Sequence, residues 1–325
     1  MITRRDLLAG CAGSAAVSAF VYYARAQAWP SRPVRLLVPI AAGGPTDTVA
    51  RIVAEQLSKI WNQQVVVENR GGAGTNLGTE VVARSDPDGY TVLYGTSSLA
   101  VNRSLYRTLG YDPIADFAPV THISTFPLFM FVPNSSPAKS VREFIAYGKA
   151  NRGKLTLGSP GTGSMPHLAG ELFTRMAGIE MTHVPYRGAA PALVDLIPGR
   201  IDLYFGSGTL LENMRSGQIR GLGATSQHRD PAAPELPSIA EAGVPGYEAL
   251  SWQALFVPAK TLREIIEKMN ADTIAGLADP AVRAKLARDG YNVIAAGPNE
   301  LAALLRSEID KWSALIKQTG ISIRF

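Results

Sequence analysis

The 325-residue sequence contains a single cysteine, Cys11, which excludes a disulfide framework and a CxxC metal or redox site. Its four histidines, His122, His167, His183 and His228, show no metal-ligand spacing. No G-x-S-x-G, H-E-x-x-H or G-x4-G-K-[ST] occurs, so the familiar signatures of serine hydrolases, zinc proteases and phosphate-binding loops are missing. A triad assembled in space leaves no fixed spacing, so a secreted hydrolase stays open as an alternative. The net charge of +5 is not gathered into a basic block, and nucleic acid is not expected as a partner. Beyond residue 28 no run of 18 apolar residues is present, and no spanning helix is expected there. Gly72 to Gly78 resembles a dinucleotide fingerprint, but it is one residue too long and Glu68-Asn69-Arg70-Gly71 separates it from any strand. No cofactor, no metal and no catalytic residue is expected.

What is present begins with an address. Arg4-Arg5 precedes an apolar, Gly/Ala-rich stretch from Leu7 to Val21, and small-x-small triplets end at Ala26 and Ala28. A basic start, a short apolar core and an A-x-A site are the parts of an export signal, and the paired arginines suggest the twin-arginine route. Cleavage near Ala26 or Ala28 and a soluble periplasmic product are expected. An uncleaved anchor is the alternative for the stretch. Leu8-Ala9-Gly10-Cys11 also spells a lipoprotein box, against which stands a chance cysteine inside the apolar core. Removal of residues 1–28 takes away Arg4, Arg5, Arg25 and Asp6, so +5 becomes +3. The remainder is long enough for two domains, each with its own core.

Short β-branched or aromatic runs recur at 34–38, 65–68, 90–94, 128–132, 154–158, 181–184, 201–205, 219–224 and 252–257. Between them, Val49, Ile52, Val53, Leu57, Ile60 and Trp61 keep the spacing of one helical face. Leu168, Leu172, Phe173 and Met176 do the same, as do Leu262, Ile265, Ile266 and Met269, and then Leu301, Leu304, Leu305, Ile309, Trp312 and Ile316. This alternation predicts an α/β protein with largely parallel sheets covered on both faces. Two proline-rich passages, Pro113 to Pro137 and Gln227 to Tyr247, read as irregular chain where one domain is left and re-entered. Residues 29–127 and 249–325 are then expected to build one lobe, and 128–248 the other.

Two glycine-rich turns each open a helix. Gly43-Gly44-Pro45-Thr46-Asp47 follows the strand at 34–38, and Ser159-Pro160-Gly161-Thr162-Gly163-Ser164 follows the one at 154–158. Glycine lets a ligand approach the backbone, and the first N–H groups of a helix lack internal partners, so such turns accept anions. Asp47 also suits a helix cap, Ser164 suits an N-cap, and His167 is either a ligand contact or a helix-surface residue. Gly95-Thr96-Ser97-Ser98 and Gly206-Ser207-Gly208-Thr209 are weaker turns of the same kind. All four lie beyond the carboxyl ends of predicted strands, where open α/β sheets collect ligands. A small carboxylate suits a cleft lined this way.

The ordered motifs resemble the Bug-type periplasmic receptors of tripartite tricarboxylate transporters over nearly all of the chain after residue 28. The resemblance is carried by Trp29-Pro30-Ser31-Arg32-Pro33-Val34-Arg35, Val38 to Asp47, Val67 to Gly74 and Pro87-Asp88-Gly89-Tyr90-Thr91. Gly158 to Ser164 with His167 to Phe173, Val184 to Pro191, and Pro237 to Gly243 continue it. It implies a type II periplasmic binding protein fold, with two α/β lobes joined by a hinge around a ligand cleft. Lobe one would offer Gly43, Gly44, Thr46 and Asp47; lobe two would offer Ser159, Thr162, Gly163, Ser164 and His167, with Tyr186 and Arg187. Ser97 and Ser207, from the weaker turns, complete the candidate set, as does Ile40, where the family commonly has Phe. The family also has proline where this chain has Ala42, and with the aromatic wall lost at Ile40 the acid bound by a relative is not carried over. The implied protein is a monomer that hands a mono- or dicarboxylate to membrane transporter subunits, with ligand sensing as the rival role.

Overall fold

A computed structural model of the chain describes residues 29–322, and the export segment expected over residues 1–28, Cys11 included, lies outside them. The first stretch of the body runs β1 (Val34–Val38), α1 (Pro45–Trp61), β2 (Val65–Asn69), α2 (Asn76–Ala83), β3 (Thr91–Thr96), α3 (Ser98–Leu105) and β4 (Phe117–Pro127). A second continues with β5 (Phe129–Pro133), α4 (Val141–Ala150), β6 (Leu155–Ser159), α5 (Met165–Ala177), β7 (Met181–Pro185), α6 (Ala189–Leu196), β8 (Leu203–Gly206), α7 (Leu211–Arg215) and β9 (Ile219–Ala224). The chain then closes with β10 (Leu250–Pro258), α8 (Arg263–Leu277), α9 (Pro280–Arg288), β11 (Asn292–Ala296) and α10 (Pro298–Thr319).

One sheet has six strands in the order β11-β4-β10-β3-β1-β2, and the other has five in the order β7-β6-β8-β5-β9. Each is half parallel. β2, β1 and β3 run parallel, as do β7, β6 and β8, whereas β10, β4 and β11 pair antiparallel, and so does β5 with β8 and β9. The expectation of largely parallel sheets therefore holds only where a helix follows each strand. The antiparallel halves arise where the chain passes between sheets: β4 runs through Leu128 directly into β5 with no crossover helix, which parallel pairing requires.

The passage Pro113 to Pro137, read as irregular from its prolines, holds β4, an 11-residue strand, and β5. Pro119 is tolerated because β4 is bulged beside it: Leu255 pairs with Thr121 and Phe256 with Pro119, leaving one residue unopposed. A proline needs no ladder donor at such a place. By contrast, Gln227 to Tyr247 is turns and bends, as its prolines suggest.

Thr225 stitches the two passages together. Its backbone N–H donates to Leu128 O at 2.9 Å and its hydroxyl to Ala249 O at 2.6 Å. It accepts from Leu128 N–H at 2.8 Å through the hydroxyl and from Ala249 N–H at 3.0 Å through the carbonyl. One fully buried residue thus holds both the outgoing and the returning strand.

Helix α1 starts with proline in its first turn, carries Asp47 there, and ends at Asn62 in the left-handed region (φ 47°). Val49, Ile52, Val53, Leu57 and Trp61 are buried, while Ile60 is exposed at the edge of the expected face. Met176 and Leu262 also turn outward from the faces they were read into. The 22-residue α10 is about 33 Å long at 1.5 Å per residue and serves two cores. Leu301, Leu305 and Ile309 pack with Leu37, Leu93 and Phe256 under the six-stranded sheet. Trp312, Leu315 and Ile316 join Phe144, Phe173 and Phe205 of the five-stranded one.

Candidate functional site

The turn after β1 is held by one buried carboxylate. Asp47 Oδ2 accepts the Gly43 N–H at 2.9 Å and Arg51 Nε at 2.9 Å, and Oδ1 accepts Asn69 Nδ2 at 2.8 Å. Asn69 Oδ1 in turn receives Arg51 at 3.0 Å. Burial alone would raise the Asp47 pKa, but the Gly43 N–H, Arg51 and Asn69 outweigh it and hold the carboxyl below its ordinary 3.8. Asp47 is therefore an anion whose lone pairs are engaged inside the protein, and it shapes the turn. Gly43 sits at φ +85°, where a side chain would be strained, and Gly44 caps α1 with no side-chain bond. The amides of the first helical turn are left without an internal acceptor.

Beside this turn lies a cavity of about 200 Å³ in which Ile40, Thr46 and Ser97 meet Thr75, Phe126, Met165, Trp252 and Gln253. Four helix starts border it: Thr46 is in the first turn of α1, Thr75 and Ser97 are the N-caps of α2 and α3, and Met165 opens α5. Their dipoles all favour negative charge in the space between them. No lining residue carries a charge.

The hydroxyls of Thr46, Ser97 and Thr75 have neighbours that bear on their orientation. Tyr94 donates to Gln253 Oε1 at 2.6 Å, which turns Gln253 Nε2 toward Thr46 Oγ1 at 3.2 Å. The Trp252 N–H donates to Ser97 Oγ at 2.8 Å. Asn102 Nδ2 lies 3.2 Å from Thr75 Oγ1, its longest contact, with Gly74 O at 2.7 Å and Asn76 Oδ1 at 2.6 Å as the stronger acceptors. Thr46 and Ser97 thus accept from the protein, while the two amide protons of Asn102 go to Gly74 O and Asn76 Oδ1 and leave Thr75 at most a shared contact; among the described residues none of the three hydroxyls is spent donating to the protein. A hydroxyl has one proton, and here it remains for an acceptor in the cavity. Thr75 is held at φ +85°, a strained position for a β-branched residue, between Gly74 and Asn76, which Asn102 grips at 2.7 and 2.6 Å. Gly78 lets α2 seat against β1, since a Cβ there would meet Arg70 O at 2.6 Å and Leu37 at 2.9 Å.

The turn after β6 is built differently. Ser164 caps α5 by accepting the His167 N–H at 3.4 Å, and its hydroxyl donates to Gly161 O at 2.7 Å. Ser159 Oγ contacts Gly161 O at 3.1 Å and His183 Nε2 at 2.7 Å. The Gly163 N–H donates to His167 Nδ1 at 3.0 Å, which places the ring proton on Nε2, 3.5 Å from Glu171. His167 is buried, not a helix-surface residue, and it stacks on His183 with ring centroids 3.6 Å apart. Burial and then His167 depress the His183 pKa to about 4, keeping that ring neutral. The polar groups of this turn are spent on one another; Thr162 is exposed, and Met165 is the residue next to them that reaches the cavity.

The remaining candidates are spread out. Gly43 borders a wider groove of about 720 Å³ with Gly208, Thr209, Arg215 and Arg288. Ser207 pairs with Thr209 at 2.8 Å, Tyr186 donates to Asp195 on α6 at 2.8 Å, and Arg187 is exposed. Sequence reasoning missed Thr75, Phe126, Met165, Trp252 and Gln253, and the organising Asn69 and Asn102. The segment from Gly72 to Gly78 has the marks of a turn opening a helix, but reads as a near-dinucleotide motif and, up to Gly74, as part of the resemblance, neither of which singles out Thr75. Gln253 left no signal, because its role depends on β10 pairing beside β3.

Residues 49–321 match the model of the tripartite tricarboxylate transporter family receptor. The chain belongs to this family. It is 39% identical over 317 residues to the UPF0065 protein in the tcbD-tcbE intergenic region of Pseudomonas sp. (strain P51), covering 97% of this chain and 94% of that one. Among solved structures, R. palustris Rpa4515 with adipate superposes with a TM-score of 0.80 at 39% identity, over 90% of this chain and 99% of the other. MatC (Rpa3494) from Rhodopseudomonas palustris with bound malate gives 0.76 at 32%, over 89% and 100%. The fold of this family receptor is thus the α/β periplasmic binding protein fold, with its cavity among the helix starts.

Proposed function

We propose that this tripartite tricarboxylate receptor works in the periplasm, as a monomer, capturing a small mono- or dicarboxylate and delivering it to the membrane subunits of its transporter. One observation carries the reading. Thr46 and Ser97 each accept from a protein N–H group, and no described residue takes the proton of Thr46, Ser97 or Thr75, so these protons are left for an uncharged cavity bordered by helix starts. That arrangement accepts an anion without a cationic side chain, each charge-assisted bond contributing about 1.5–3 kcal/mol. The bound adipate and malate of the two relatives support a carboxylate. On this reading Ile40, Thr46, Thr75 and Ser97 contact the ligand, with the amides after Gly44. Lobe one, residues 29–127 and 249–325, and lobe two, residues 128–248, close on it about the strands that Thr225 joins. Residues 1–28 are the export signal.

Catalysis is not part of the proposal. A hydrolase needs an accessible nucleophile, whereas Ser159 beside His183 is fully buried and bonded within its own turn. Thermal shift against a panel of carboxylates, followed by calorimetry, tests the binding; uptake in a deletion strain tests delivery. A melting temperature unmoved by every acid, or turnover of a bound acid or ester, would contradict the proposal.

A further inference from the structure

Deepening the carboxylate reading and resting on it, we infer that the acid has one carboxylate seated in the cavity and an apolar body, aliphatic or aryl. Hydroxylated and tricarboxylic acids are disfavoured. The first ground is charge. The cavity holds neutral donors and no ionised side chain, and the carboxylate nearest in sequence to its wall, Asp47, is itself an anion already closed by Arg51. Hydroxyl donors and helix starts balance one negative charge in a confined space, but a second or third there has no counter-charge.

The second ground is the walls. Ile40 lies past the end of β1, Phe126 is near the end of β4, Trp252 is on β10, and Met165 is at the first position of α5. Phe126 is fixed edge-to-face against Tyr291 at 5.0 Å, and Trp252 is packed in the core beside Phe256 with its indole N–H buried and unpartnered among the described residues, so neither is placed to turn away. Thr96, Ser98 and Ser251 also line the cavity, so the apolar body is expected on the side of Ile40, Phe126, Met165 and Trp252, where a ligand hydroxyl loses water and gains no partner and a methylene chain or a ring loses nothing. At about 200 Å³ the cavity takes a carboxylate head and a short body. The far carboxylate of a long-chain diacid has to lie outside it, toward the five-stranded sheet. Met165 is the side chain from that side which reaches the cavity, which makes it and Ile40 specificity-determining residues.

The test is calorimetric titration of the purified protein with hexanoate, adipate, benzoate, malate and citrate. The inference expects the tightest of the first three to bind at least tenfold more tightly than malate or citrate. It also expects Met165→Gln and Ile40→Thr, each checked for an unchanged melting profile, to cut that ratio at least fivefold by weakening the apolar acid. Malate or citrate bound as tightly as the apolar acids would overturn the inference while leaving the receptor reading intact. A ratio unmoved in both folded variants would overturn the role of the walls. Silence from all five acids would overturn the receptor reading itself, and this inference with it.

Discussion

The two glycine-rich turns look alike in sequence and behave differently in the fold. Both follow a parallel strand, both open a helix, and both offer hydroxyls. After β1, the shaping is done by a buried carboxylate, Asp47, and the hydroxyl of Thr46 is loaded as an acceptor by Gln253 from another strand. After β6, the hydroxyls shape the turn themselves: Ser164 caps the helix, Ser159 bonds Gly161 and His183, and His167 takes the Gly163 N–H. A donor spent on its own turn is not available to a ligand. The difference teaches that a hydroxyl-rich helix start keeps its proton for a cavity when a second element satisfies its lone pairs.

The largest effect is expected from Asp47→Ala. It strips the Gly43 N–H, Arg51 and Asn69 of a common acceptor, so denaturant unfolding should show a loss of about 1–3 kcal/mol together with weaker carboxylate binding. The same carboxylate predicts acid sensitivity. Its folded pKa lies below the ordinary 3.8, so its stabilisation is complete above that value and is lost as pH falls through the lower folded value. Next comes Thr46→Val, which removes one outward proton and retains the volume. Carboxylate affinity should drop roughly tenfold or more, while stability changes by less than about 1 kcal/mol.

The second turn should respond in stability rather than in affinity. His183 titrates near 4, below the 6.5 of a free imidazole, because burial and then His167 disfavour its charge. The unfolded chain therefore binds the proton more readily, and stability is greatest above 6.5 and declines as pH falls toward 4. His183→Asn should reduce the pH dependence of the melting temperature across that window without changing affinity at pH 7, leaving the share of His122, which burial also depresses to about 4. The smallest effect is expected from Ser164→Ala, a lost N-cap of about 1 kcal/mol read by denaturant unfolding, with affinity within about twofold. If Ser164→Ala weakened binding as much as Thr46→Val, the contrast between the turns would collapse.

Much of this was legible in the chain. The strands at 34–38, 219–224 and 252–257 fall where β-branched and aromatic runs put them, and Ser164 is the cap its position suggests. Thr46 and Ser97 were read from turns that open helices and Ile40 from the resemblance, and all three line the cavity. β4 was lost because its prolines mask a strand whose bulges accommodate them, and β11 because Asn292 to Ala296 is short and lies on the sheet edge. Gln253, Phe126 and Trp252 face the cavity through antiparallel pairings between distant segments, which no local pattern encodes. The direction of each hydroxyl proton follows from bonds such as Gln253 to Thr46, made across more than two hundred residues.

The most direct test is a calorimetric titration of adipate into the Thr46→Val/Thr75→Val double variant beside the wild-type protein. The account predicts about a hundredfold or greater loss of affinity from two charge-assisted bonds, in a variant that melts as one cooperative unit. Adipate binding at wild-type affinity in that folded variant would contradict it.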